Sequence, residues 1–227
     1  GGAPERTAAP DYRAADAFDP YSSYLFDVPG GVTTAYVPPA RFRLIAGQGA
    51  VVKLAGDDVE ERLLSESAPI HGTITAEARD VPGYWKPPVP ATADVGLGVA
   101  EPQLPRSTMG ALLALRELVA IARGGPDDGR YGPGTARVLG DLVRAGRPWR
   151  MGADSRAELR ALSAFFREQR LPLVIDGGRD AADVVDDIAA AGATVLIDVN
   201  VAPNDGDRQL GTDEDAAWPR YDAAAAL

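Results

Sequence analysis

Residues 149–199 read WRMGADSRAELRALSAFFREQRLPLVIDGGRDAADVVDDIAAAGATVLIDV, and this stretch decides the fold. Within it, Ser155-Arg156-Ala157-Glu158 has the S-x-x-E form of a capping box, in which each side chain satisfies a backbone donor of the other residue. Leu159, Leu162, Phe165 and Phe166 then recur at helical spacing. Leu171-Pro172-Leu173-Val174-Ile175 reads as a strand, with Pro172 near its start, where a missing N–H is tolerated. Residues 180–191 carry Val184, Val185 and Ile188 on a second amphipathic helix that Gly192 ends. Thr194 to Val199 reads as a buried strand, and a short β-type run surrounds Trp149 and Met151. Strand, helix, strand, helix, strand with short links implies parallel strands and right-handed crossovers. Both a doubly wound sheet and part of a (β/α) barrel satisfy that pattern.

Upstream, Leu112, Leu115, Val119 and Ala122 form one stripe of a helix over residues 109–123, with Ser107 or Thr108 as its cap and Gly124-Gly125 as its stop. A further helix covers roughly residues 135–145. Residues 65–108 carry Pro82, Pro87, Pro88, Pro90, Pro102 and Pro105 together with Tyr84 and Trp85. Proline fixes φ and cannot donate to a ladder, so this segment reads as a long surface excursion. Nearer the start, Val32 to Val37 and Ala50 to Leu54 are β-type runs, and Ala46-Gly47-Gln48-Gly49 between them reads as a tight turn. Residues 1–30 form an irregular lead with one short helix. The whole is expected to be a single α/β domain over 1–227.

The 33 acidic residues outnumber the 23 basic ones, for a formal charge of -10. That field repels phosphate backbones and argues against nucleic-acid binding. No run approaches the roughly 18 apolar residues of a membrane span. The compartment stays open between the cytoplasm and export after signal removal. With no cysteine, disulfides, thiolate metal sites and cysteine nucleophiles are excluded. The single histidine, His71, falls short of the two to four imidazoles that zinc hydrolase sites recruit. Its expected role is at the surface or in a cap. Gly47-Gln48-Gly49 and Gly177-Gly178 lack the spacing of a phosphate-binding loop, and no G-x-S-x-G elbow is present.

Gly31-Val32-Thr33-Thr34, followed by Leu44-Ile45-Ala46-Gly47-Gln48-Gly49-Ala50-Val51-Val52-Lys53-Leu54, resembles a stretch typical of bacterial imidazolonepropionase-like members of the amidohydrolase superfamily. Asp16-Ala17-Phe18-Asp19-Pro20 before it, Gln103 to Ala111 after it, and residues 148–192 agree in the same order. The resemblance spans about residues 14–200. It implies part of a TIM-like (β/α) barrel with parallel strands, incomplete or degenerate, and a divalent metal, zinc above all, at the C-terminal ends of the strands. In such enzymes the metal activates water against a carbon–nitrogen bond.

The ligands that the resemblance implies are missing. The His-x-His pair of the opening strand would precede residue 1, and the final aspartate would follow residue 227. Two inner histidines would fall at Gly152 and Gly177, and glycine has no side chain to coordinate with. Lys53 matches the lysine that some relatives carbamylate, although a lysine at a strand end is ordinarily just exposed. Asp154, Asp176 and Asp198 each fall at or after a strand end, where a carboxylate cluster would suit a hard cation. Helix-starting acidic residues explain Asp154 and Asp176 more simply.

Three functions are therefore expected to compete. One is a degenerate, pseudoenzyme-like scaffold. Another is a segment of an active hydrolase. The third is a small-molecule binding module using the aspartates with Tyr84 and Trp85. An incomplete barrel would leave sheet edges for a second copy or a partner chain to cover.

Overall fold

The computed structural model describes residues 7–19, 30–39, 43–56, 58–66, 69–79 and 105–197. The capping box is formed: Ser155 Oγ accepts from Glu158 N at 3.4 Å, and Glu158 Oε2 accepts from Ser155 N at 3.1 Å. Neighbouring elements follow from it. Strand β6 (Trp149–Ala153) precedes helix α5 (Arg156–Gln169), then come β7 (Leu173–Gly177), a 3-10 turn (Ala181–Val184), α6 (Val185–Ala190) and β8 (Thr194–Ile197). Upstream lie α3 (Thr108–Ala122), capped by Ser107, and α4 (Thr135–Arg144).

Earlier in the chain are a 3-10 turn (Ala14–Ala17), β1 (Thr34–Val37), β2 (Gly47–Gln48), β3 (Ala50–Lys53), α1 (Val59–Arg62), β4 (Leu63–Ser65), β5 (Ile70–Thr73) and α2 (Ala76–Arg79). They form two sheets. One is three-stranded and antiparallel, in the order β1-β3-β4; the other is five-stranded, in the order β2-β5-β6-β7-β8. In the larger sheet β5, β6, β7 and β8 run parallel, and β2 pairs antiparallel with β5. Among the described residues this sheet is open and does not close into a barrel.

Alternation along the parallel strands separates two faces. Ile70, Trp149, Met151, Leu173 and Ile175 pack with Leu115, Leu118, Leu159, Leu162 and Phe166 of the helices. Trp149 meets Phe166 edge to face, with ring centroids 5.6 Å apart. The opposite face carries two rows of register partners. One row is His71, Arg150, Val174 and Thr194; the next is Thr73, Gly152, Asp176 and Leu196.

The structure corrects the sequence reading in several places. Residues 65–108 are not one excursion: β5 lies inside that span and pairs between β2 and β6 in the larger sheet, and α2 follows it. Gly47-Gln48 is a sheet edge as well as a turn, held by Gln48 N donating to Tyr12 O at 2.8 Å. The strand after α5 begins at Leu173 and runs to Gly177. The described part of the last strand, Thr194–Ile197, alternates exposed and half-buried residues rather than being buried, with Leu196 38% exposed. Among the described residues no helix is long and apolar enough to cross a membrane.

Candidate functional site

The helix-free face of the larger sheet gathers four polar side chains. Arg150, the second residue of β6, donates from Nε to Asp176 Oδ2 at 3.0 Å and from Nη2 to Asp176 Oδ1 at 3.2 Å. The fork is bidentate, the stronger geometry for an arginine–carboxylate pair. Both partners are largely buried, with side-chain exposures of 18% and 9%. Tyr36 of β1 reaches across from the smaller sheet, and the Arg150 guanidinium carbon lies 5.0 Å from its ring centroid. His71 stacks on the same ring at 5.4 Å and 24°. The Tyr36 hydroxyl and His71 Nε2 share a hydrogen bond. Burial pushes the Tyr36 hydroxyl up to about 12; the Arg150 charge opposes that rise and Asp176 adds to it.

His71 is therefore not a surface or capping residue. It is 3% exposed on β5, beside Arg150 in register. The misreading arose because Pro69 and the proline-rich stretch after it obscured a four-residue strand. Arg150 and Tyr36 were missed too. An arginine flanked by Trp149 and Met151 in a β-type run was the available signal for the first, since a charge between two buried apolar residues needs a partner. Nothing in the sequence pointed to Tyr36.

The expected site residues are only partly brought together. Asp176 lies in this cluster and does not start a helix. Asp154 follows β6 and braces the loop after β7: its Oδ1 accepts from Arg179 N at 3.4 Å, and its carbonyl from Asp180 N at 3.0 Å. Lys53 ends β3 in the other sheet, exposed, with Thr34 as its register partner. Asp198, Tyr84 and Trp85 lie outside the described residues.

The two glycines at the implied histidine positions are each required locally. Gly152 faces the polar side between Thr73 and Asp176 in register, and a Cβ there would come within 2.5 Å of Thr73 Oγ1. Gly177 has φ +107°, a backbone region that L side chains rarely adopt, and a Cβ there would meet Asp154 Oδ1 at 2.5 Å.

A divalent metal, the group the fold resemblance implies, does not fit these residues. Among the described residues no three His, Asp or Glu side chains converge on one point. Asp176, the carboxylate beside Gly152, is engaged by a guanidinium whose charge repels a second cation.

No protein-family profile matches the chain, and no curated protein sequence does. Among solved structures it is similar to the crystal structure of an amidohydrolase from Thermotoga maritima MSB8, with a TM-score of 0.69 and 20% identity. The likeness covers 87% of this chain and 50% of that one, so the chain spans about half the length of the structure it matches. At that identity the likeness is one of fold: this α/β chain shares its architecture with about half of that structure.

Proposed function

We propose that this chain is an amidohydrolase-like barrel portion that serves as a scaffold or binding element and has no metal-hydrolase site of its own. The observation that carries this reading is at Gly152 and Asp176. The position matching an inner histidine has no side chain, Thr73 closes the space above it, and the neighbouring carboxylate is committed to Arg150. In a barrel of this kind the helix-free face looks inward, and chemistry is carried at the C-terminal ends of the strands. Towards those ends the described residues offer Thr73 and Asp176, the latter held by Arg150 from the preceding row, instead of a ligand set. The imidazolonepropionase-like branch is part of the same proposal and is supported by the ordered motifs from Asp16 to Gly192.

The test is elemental analysis of the purified chain, combined with hydrolysis assays on small amides and lactams. The expected result is well under one zinc per chain and no turnover. One stoichiometric zinc, or turnover lost on chelation, overturns the reading.

The half-length match favours a second reading, in which the chain belongs to a longer metal-dependent hydrolase of carbon–nitrogen bonds whose ligands lie elsewhere. Assaying the complete gene product in the same way separates the two. Metal and turnover in the longer protein alone would select the second.

A further inference from the structure

Tyr36 is held by the larger sheet in the way a bound ligand is held. His71 stacks on its ring at 5.4 Å and shares a hydrogen bond with its hydroxyl, and the Arg150 guanidinium carbon lies 5.0 Å from the ring centroid. Gly49 leaves room for the hydroxyl, because a β-carbon there would overlap it. Ring and hydroxyl are each recognised, the ring by a cation and an imidazole and the hydroxyl by a ring nitrogen. Asp176 fixes the guanidinium through two hydrogen bonds, so its position is set within the larger sheet and not by Tyr36.

The smaller sheet, which brings Tyr36 to this place, stands apart from the main core. Ala50, Val52 and Leu54 are buried, yet they lie outside the contiguous apolar core that the larger sheet forms with the helices. Its connections to the larger sheet gather at one end. Val37 pairs with Ala50, Gly49 alone separates β2 from β3, and Gly49 N donates to Pro69 O, just before β5, at 3.2 Å. At the other end Thr34 and Lys53 are paired and exposed. A unit outside the main core and joined at one end is of the kind that opens at less cost than global unfolding.

We propose that the larger sheet carries a site for a phenolic ring, a planar aromatic bearing a hydroxyl, which Tyr36 occupies in cis and leaves when the smaller sheet opens. The site gives the binding-element reading, on which it rests, a ligand class. Because Tyr36 is tethered, its effective concentration is high, and it outcompetes a free phenol until the sheet opens.

His71 is the single histidine of the chain, so the ultraviolet absorbance of N-carbethoxyhistidine after diethyl pyrocarbonate treatment follows this site alone. The parent should react slowly. Ser155→Ala, which weakens the cap of α5, should leave that rate within about twofold, because local opening does not depend on the cap. A larger increase, towards the roughly fivefold that a lost N-cap imposes on global unfolding, overturns the inference.

Tyr36→Ala should react roughly thirtyfold faster than the parent, having lost both the hydrogen bond and the ring contacts. Phenol should then slow the reaction saturably, whereas benzene and cyclohexanol at the same concentration should not. No protection by phenol, or equal protection by all three, overturns the inference. Near-ultraviolet circular dichroism reports whether the variant is folded. If it is not, Tyr36→Phe keeps the ring, loses the hydroxyl and should react about fivefold faster than the parent; an unchanged rate overturns the inference. Metal content and turnover decide the proposed function separately, so failure here leaves the scaffold reading standing.

Discussion

Thr73 stands in the space that a β-carbon at Gly152 would need, with Oγ1 2.5 Å and Cβ 2.9 Å from that point. The threonine is fully buried and cannot simply rotate away. Its hydroxyl donates to Gly152 O at 3.2 Å, hydrogen-bonds to Thr75 Oγ1 at 2.8 Å and accepts from Thr75 N at 3.1 Å. A histidine at position 152 therefore has no room for its β-carbon unless Thr73 moves. Gly152→His should destabilise the chain by about 2 to 3 kcal/mol through overpacking, and Gly152→Ala by about 1 to 2 kcal/mol. Adding Thr73→Gly should recover part of either loss. Urea midpoints measure this, and a Gly152→His chain as stable as its parent would contradict the packing described.

The capping box supports a second stability prediction. Glu158 Oε2 accepts from both Ser155 N and Asp154 N, while Oε1 accepts from Arg79 Nη2 at 3.0 Å. One side chain thereby ties the start of α5 to the end of α2. Ser155→Ala should cost about 1 kcal/mol, the usual loss for an N-cap. Glu158→Ala should cost about 2 to 3 kcal/mol, because Arg79 loses a largely buried partner as well. In Ser155→Ala/Glu158→Ala the two losses should fall short of their sum, since the residues share one motif. Full additivity by chemical denaturation would refute that coupling.

What the sequence disclosed and what it withheld divide along physical lines. Helices α3, α4 and α5 were legible because apolar spacing and caps are local: Ser107, Ser155 and Glu158 act within three residues of themselves. The parallel order of β6, β7 and β8 followed from short links alone. Strand β5 was not legible, because four residues between prolines carry no period long enough to read. The pairing of Arg150 with Asp176 spans 26 positions, and the contact of Tyr36 with His71 crosses from one sheet to the other. Such contacts depend on sheet register, which no local pattern encodes. The two glycines were noticed as missing ligands, yet the reason each is glycine lies in Thr73 and Asp154, which only the fold brings near.

Helix α5 ends on a residue with an unfavourable backbone. Arg170 has φ 52° and ψ 44°, the left-handed region, and its N–H bonds back to Phe166 O and Arg167 O. Glycine is the residue that adopts this conformation without steric cost. Arg170→Gly should therefore stabilise the chain by about 0.5 to 1 kcal/mol, seen as a higher urea midpoint with an unchanged slope. A lower midpoint would mean that the arginine side chain contributes more than its backbone costs.

Tyr36 gives the stability of the chain a particular dependence on alkaline pH. Its hydroxyl is raised to about 12 in the folded chain, chiefly by burial, against an ordinary value of 10.0. Between those two values the unfolded chain has released the proton while the folded chain still holds it, so unfolding gains relative to folding as pH rises. The contribution is fully present below pH 10 and is lost as pH climbs towards 12. Tyr36→Phe removes this titration. It also removes the hydrogen bond to His71, at a cost of about 1 kcal/mol near neutral pH. The parent should therefore be the more stable chain at pH 8, and its advantage over Tyr36→Phe should shrink between pH 10 and 12. Urea midpoints of both chains at pH 8, 10 and 11 measure the difference, and an advantage that holds constant or widens across that range would rule out a buried, proton-retaining Tyr36.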